Sequence, residues 1–274
     1  MKKLQYISDI HLEYRNGIYK FPKAGNYLAL LGDIGNPFKY NYNEFLQYTS
    51  NEWEHVFLIS GNHEYYSIES QTNDIEEIEN QIEKISSKYK NIHFLNNKSY
   101  NLDNYLILGT TLWTNINNIK NFEKKFGDDL YINEKKNIKI TKQKINQMHN
   151  FSVNYLSENI VRSKKPIIIM THHLPSYKLI IDKYKIDRYK DWNDRFASDL
   201  DYLIKNPVKV WLCGHSHCTI EKNINGVNCS INALGHKSQS DKKKKDDIIR
   251  FINLDHQSEN MHNNLENIQF FVDL

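Results

Sequence analysis

Tyr27-Leu28-Ala29-Leu30-Leu31-Gly32-Asp33 is an apolar run, too short for a helix, that stops on a glycine and a carboxylate. Bounded in this way, it reads as a buried strand. The same design recurs on either side of it. Residues 4–8 lead into Asp9-Ile10-His11, and residues 55–60 lead into Gly61-Asn62-His63-Glu64. Further on, 166–171 leads into His172-His173, and 209–213 into Gly214-His215-Ser216-His217. Runs at 92–95, 106–110 and 227–232 extend the series, with weaker candidates at 248–254 and 268–272.

Helical patterns lie between the strands. Ile75, Ile78, Ile82, Ile85 and Tyr89 recur at three- and four-residue steps with charged residues between them. Thr141 is placed to cap a helix carrying Ile145, Met148, Tyr155 and Ile160. Phe196, Leu200, Leu203 and Ile204 suggest one more, ended by Pro207. Strands alternating with helices predict an α/β architecture. The 274 residues contain no long flexible linker and no repeat, so a single domain is expected.

Half of the 12 histidines fall just after a strand. In open α/β sheets the ligand crevice lies beyond the carboxyl ends of the strands, so residues distant in sequence meet there. Each cluster alone has a plainer reading. Asp9 can cap a turn, Gly32-Asp33 can be a strand-to-helix turn, Asn62-His63 can satisfy loop amides, and His173 can pack. Five such clusters along one sheet weigh the other way. Asp, Asn and His donors without thiolates suit two borderline divalent ions such as manganese, iron or zinc. A purely structural role would gather uncompensated polar groups at a crevice, at a desolvation cost.

Composition narrows the setting. With 36 basic and 33 acidic residues the net charge is +3, too balanced to imply a nucleic-acid polymer as partner. Mean hydropathy is −0.69, and no window has the length of a membrane span. Met1-Lys2-Lys3-Leu4 runs into a strand without the apolar stretch of a secretory leader. Cys213, Cys218 and Cys229 form no paired framework, which fits a reducing compartment, and a cytoplasmic location is expected. A zinc knuckle at Cys213–Cys218 is disfavoured because so short a hairpin cannot supply four tetrahedral ligands. The charged segment 239–247 reads as a solvated surface loop.

The ordered motifs Asp9-Ile10-His11, Gly32-Asp33, Gly61-Asn62-His63-Glu64, Thr171-His172-His173 and Gly214-His215-Ser216-His217 resemble those of the calcineurin-like metallophosphoesterase superfamily. Gly109-Thr-Thr-Leu-Trp113, Thr171-His-His-Leu-Pro175, Phe196-Ala-Ser-Asp-Leu200 and Asn232-Ala-Leu-Gly-His236 look like one bacterial-type branch. The likeness extends to about Gly235, and 237–274 matches poorly. The resemblance implies a four-layer α/β fold, a two-sheet β-sandwich flanked by helices, with the strands after Leu106 in the second sheet. It implies that Asp9, His11 and His217 bind one metal ion, that Asn62, His172 and His215 bind another, and that Asp33 bridges them. The sequence departs from the superfamily's protein phosphatases at Gly32-Asp33-Ile34-Gly35-Asn36-Pro37, where a further Asp and an Arg are missing. That weakens the case for a phosphoprotein substrate.

The expected chemistry is hydrolysis of a phosphate ester, with Asp33 shared by two cations (manganese foremost) and His63 donating a proton to the leaving oxygen. The plainer reading of His63 is a hydrogen-bonded loop residue. Tyr65, Tyr66, Trp113, His173 and His236 are candidates for the crevice rim, where rings can stack on a base. The expected substrate is a phosphorylated small molecule or nucleotide, with a diester ahead of a phosphomonoester. A rival of another class, a catalytically silent binding scaffold, is disfavoured because every expected ligand position is filled.

Overall fold

In the computed structural model, residues 2–67, 72–117, 127–241, 243 and 245–254 are described. Two mixed sheets pack face to face with helices outside them, giving the four layers expected of the fold. The first sheet has the order β13-β1-β2-β3-β4. Its strands are β1 (Lys3–Ile7), β2 (Tyr27–Leu31), β3 (His55–Ile59), β4 (Ile92–Phe94) and the antiparallel β13 (Phe251–Asn253). The second sheet has the order β11-β12-β10-β9-β6-β5. It comprises β5 (Lys98–Leu102), β6 (Tyr105–Thr110), β9 (Ile167–Thr171), β10 (Val208–Cys213), β11 (Thr219–Ile224) and β12 (Val227–Asn232). A small ribbon of β7 (Asn133–Lys135) and β8 (Ile138–Lys139) stands apart.

The period-two geometry of a strand explains the layering. On β2, Tyr27, Ala29 and Leu31 face the second sheet, where Ile107, Ile168, Met170 and Leu212 meet them. Leu28 and Leu30 point the other way, toward Phe45 and Leu46 of α1 (Tyr40–Glu52) and Ile78 and Ile82 of α2 (Ile75–Ser86). All five residues of β2 are therefore buried, as an inner parallel strand requires. Asp74 closes a capping box on α2 with Glu77, a device worth about 1 kcal/mol. The short α3 (Gly127–Tyr131) precedes the ribbon. Beyond the second sheet, Leu156 and Ile160 of α4 (Lys142–Arg162) cover Ile167, Ile169 and Trp211. The predicted cap of α4, Thr141, accepts from the Lys144 amide at 3.1 Å. Between β9 and β10 the chain forms a single short helix, α5 (Asp187–Lys190), among 3-10 turns.

Three expectations fail or fall outside the described residues. The stripe from Phe196 to Ile204 is no helix. Leu174 and Ala197 form an isolated bridge, and turns at Leu200–Leu203 and Asp201–Ile204 bury the same apolar residues. The segment 239–247 is not simply a loop, since α6 (Lys237–Ser240) precedes a short 3-10 turn at Lys245–Ile248. The candidate strand 268–272 lies outside the described residues. Among the described residues no helix is long and apolar enough to cross a membrane.

Candidate metal centre

Five turns follow the carboxyl ends of β1, β2, β3, β9 and β10, and their polar side chains converge. Asp9, His11, Asp33, His215 and His217 all hold left-handed backbone, with φ between 49° and 66°. A single such residue costs about 1–2 kcal/mol, so packing around the turns must impose it. Gly32 and Gly61 let the turns close. A Cβ on Gly61 would stand 2.6 Å from the Asp33 amide nitrogen and 2.7 Å from His172 Cε1. Glu64, buried below, ties the turns together by accepting amide hydrogens from Ile34 at 2.7 Å, Asp33 at 3.0 Å and Gly61 at 2.7 Å. Burial and the neighbouring Asp33 push its carboxyl up to about 7, against the pull of those amides.

All seven expected ligands meet. Asp9, His11, Asp33 and His217 form one donor cluster, and Asp33, His172 and His215 a second, with Asp33 common to both. Asn62 joins the second, its Oδ1 3.1 Å from His172 Nε2. Asp33 Oδ2 lies 3.8 Å from His11 Nε2 and 3.3 Å from His172 Nε2.

The hydrogen bonds around these groups aim their lone pairs inward. His172 Nδ1 donates to the Leu31 carbonyl at 2.8 Å, which turns Nε2 inward. Asn62 Nδ2 donates to Asp128 of α3 at 2.8 Å, which turns its oxygen toward His172. His11 Nδ1 faces Glu13 Oε1 at 2.8 Å, and His217 Nδ1 faces Gln239 Oε1 at 3.0 Å. The His236 amide also donates to that Gln239 oxygen, at 2.9 Å, which fixes the orientation of the amide group. With both Nδ1 atoms occupied as donors, the Nε2 atoms of His11 and His217 face each other as acceptors 2.9 Å apart. Two lone pairs at that distance repel unless something positive sits between them. Asp9 Oδ1 is buried without a hydrogen-bond partner, 3.4 Å from His217 Nε2. A divalent cation suits this oxygen-and-nitrogen set.

Carboxylates and imidazoles shift one another at the centre. Burial raises the Asp9 carboxyl, yet the adjacent imidazoles of His217 and His172 bring it down to about 2. Asp33 is held well below the usual range, again against burial, by His172, His63 and His11. In return, and despite burial, Asp33 lifts His172 to about 10, while Asp33 and Glu13 lift His63 to about 9.

His63 is held differently from the seven expected ligands. Its amide donates to Asp33 Oδ1 at 2.8 Å, its Nδ1 lies 3.1 Å from Glu13 Oε1, and its ring stacks on Tyr66 at 4.2 Å. It lines a cavity of about 750 Å³, together with Asp33, Asn62, Tyr66, His215 and His217.

The expected rim needs correction. Tyr65 is wholly buried, its hydroxyl engaged by Ser60 at 3.0 Å and Glu79 at 3.1 Å. Trp113 belongs to the core beside it, at 5.3 Å. His173 is buried too, stacked on Trp113 and bonded through Nδ1 to the Thr111 carbonyl at 3.2 Å. Burial and the neighbouring His172 push it down to about 3. These three support the centre from behind. Tyr66 does reach the cavity, whereas His236 does not line it and packs instead against the His11 ring at 4.5 Å and the His217 ring at 4.6 Å.

Sequence reading missed Glu13, Asp128 and Gln239. Glu13, two residues beyond His11, was the one with a local signal. Asp128 and Gln239 act across 66 and 22 residues, and nothing nearby marks them.

A family model described as calcineurin-like phosphoesterase matches residues 4–219. An uncharacterized protein of Acanthamoeba polyphaga mimivirus is 35% identical over 260 residues, covering 87% of this chain and 93% of its own. Among solved structures, phosphopantetheinyl hydrolase from Mycobacterium tuberculosis superposes with a TM-score of 0.72 at 13% identity, covering 94% of this chain and 98% of that one. A protein of Thermus thermophilus reaches 0.51 at 12% identity, over 85% of this chain and 89% of that one. At such low identities these two likenesses speak for the fold alone.

Proposed function

The chain belongs to the calcineurin-like phosphoesterase family, and on that premise we propose that it hydrolyses phosphodiesters of small molecules or nucleotides with two divalent cations, manganese foremost. The observation that carries this reading is the pair of donor clusters overlapping at Asp33. Asp9, His11 and His217 would hold one cation, and Asn62, His172 and His215 the other. When bound, the cations supply Lewis acidity to the phosphoryl group and to the attacking water.

The chain's own residues do the remaining work. Asp33 turns Oδ2 toward both halves, while its Oδ1 accepts from the His63 amide. Asn62, a neutral ligand aimed by Asp128, limits the negative charge around the second half. Glu13 spans His11 and His63, so one carboxylate sets the position of a ligand and of the proposed proton donor. His63, raised toward the protonated state by Asp33 and Glu13 against its burial, is poised to give a proton to the leaving oxygen. Cys213, Cys218 and Cys229 are unpaired thiols, which supports a reducing, cytoplasmic setting.

The test is turnover of bis-p-nitrophenyl phosphate against p-nitrophenyl phosphate, before and after EDTA and with manganese restored. The reading expects faster diester hydrolysis, loss with EDTA and recovery with manganese. A preference for the monoester would move the assignment to a small-molecule phosphomonoesterase. No turnover of either, with no metal retained, would leave the binding scaffold.

A further inference from the structure

The cavity is far larger than a phosphoryl group needs. At about 750 Å³ it has the size of a site for a whole small molecule, and Asp33, Asn62, His215 and His217 of the expected metal-ligand set line it. Tyr184, Tyr189, Trp192 and Phe196 form an aromatic wall of the same cavity. Tyr184 is 39% exposed, and the other three are only partly covered. Tyr184 and Tyr189 meet edge to face at 5.4 Å, and Phe196 lies 4.9 Å from His215, joining the wall to the centre. Aromatic side chains that merely fill a core lie buried, as Tyr65 and Trp113 do here; these keep open surface toward a cavity.

The wall is also fixed relative to the chemistry. Arg195 grips Asp129 through two bonds, at 3.0 and 2.7 Å, in a buried pair. Asp129 is the neighbour of Asp128, which aims Asn62. On the other side, the Leu174 amide donates to the Phe196 carbonyl and the Ser198 amide to the Leu174 carbonyl, each at 3.0 Å. Those bonds tie the wall to the turn that carries His172. A surface so anchored presents its rings at a set distance from the scissile phosphate, the arrangement that specificity requires.

From this geometry we infer that the substrate's non-reacting arm carries an aromatic or heteroaromatic ring, as in a nucleoside or aryl ester, held against Tyr184, Tyr189, Trp192 and Phe196. The inference rests on the phosphoesterase reading above. Flat π-faces bind another ring by stacking, whereas a saturated chain gains only the burial of its surface.

The test compares phenyl, methyl and hexyl p-nitrophenyl phosphates on the manganese-loaded protein, three diesters with the same leaving group. The phenyl ester is expected to exceed both others in kcat/KM at least tenfold, with the difference carried by KM. Trp192→Ala and Tyr184→Ala should each narrow that ratio several-fold, while Trp192→Phe, which keeps a ring, should preserve most of it. Equal rates for phenyl and methyl esters, or a hexyl ester as good as the phenyl, would overturn the ring assignment and leave the phosphodiesterase reading standing. If none of the three esters turns over, that reading fails first, and binding decides the rest. Saturable binding of phenyl phosphate by calorimetry, weakened several-fold in Trp192→Ala and kept in Trp192→Phe, would uphold the ring site; no saturable binding, or binding indifferent to Trp192→Ala, would end it.

Discussion

The two halves of the centre are braced in different ways. Around the second half, His172 is bonded to the Leu31 carbonyl of an inner strand and Asn62 to Asp128, all of them buried. Around the first, His11 leans on Glu13 from a short turn, and His217 leans on Gln239 of α6, beyond the span that the family model matches. The partners of His172 and Asn62 therefore belong to the core, while that of His217 lies on a late segment outside the family's matched span. Ligands positioned by the fold itself should tolerate loss of their neighbours poorly, and ligands positioned by an added turn should tolerate it better.

The widest effect should come from the one residue that both halves share. Asp33→Asn is expected to lower turnover by about a thousandfold or more and to reduce bound metal in both halves together. Steady-state kinetics with elemental analysis checks this, and metal lost from one half alone would mean that Asp33 does not join them. Next comes His63→Gln, which should slow hydrolysis of a diester with a poor leaving group by roughly a hundredfold while both metals stay bound. An unchanged rate on that substrate would remove His63 from the proton-donor role.

Smaller effects separate the halves. Asp128→Ala and Gln239→Ala each remove the partner of a proposed ligand, a loss that typically weakens metal affinity roughly tenfold to a hundredfold. Competition with a chelator should place Asp128→Ala near the upper end and Gln239→Ala near the lower, and the reverse order would contradict the contrast between core and added turn. The smallest effect lies outside both halves. Burial and the adjacent His55, 3.0 Å away, push His93 down to about 4 from 6.5. Below about 6.5 the unfolded chain takes up a proton that the folded chain refuses, so stability should be lost as pH falls from 6.5 through about 4. Urea midpoints for His93→Gln should show a shallower decline over that window than the wild type, with metal content unaltered.

How much of this was legible in the sequence follows the range of each interaction. The seven proposed ligands stood out because each follows a strand directly, and strand ends in a parallel sheet converge whatever lies between them. Their chain neighbours carried the signal. α1 was not read, although Tyr42, Phe45, Leu46 and Thr49 are buried along one face, because Asn and Tyr dilute the apolar pattern. β5 was missed for a related reason, since Lys98–Leu102 is an edge strand with mostly open side chains and no alternation to see. Phe196, Leu200, Leu203 and Ile204 misled in the opposite direction, their helical spacing being satisfied by successive turns under a β-bridge. Tyr65 and Tyr66 show the limit most plainly. Adjacent in sequence and alike in chemistry, one is sealed against Glu79 and the other stacks on His63 at the cavity.

The most direct test of the proposed centre is the electron paramagnetic resonance spectrum of the manganese-loaded protein. If Asp33 joins two neighbouring ions, the spectrum should show an exchange-coupled pair that collapses to isolated ions, or to none, in Asp33→Ala. A wild-type spectrum of isolated, uncoupled manganese at full loading would contradict the shared site.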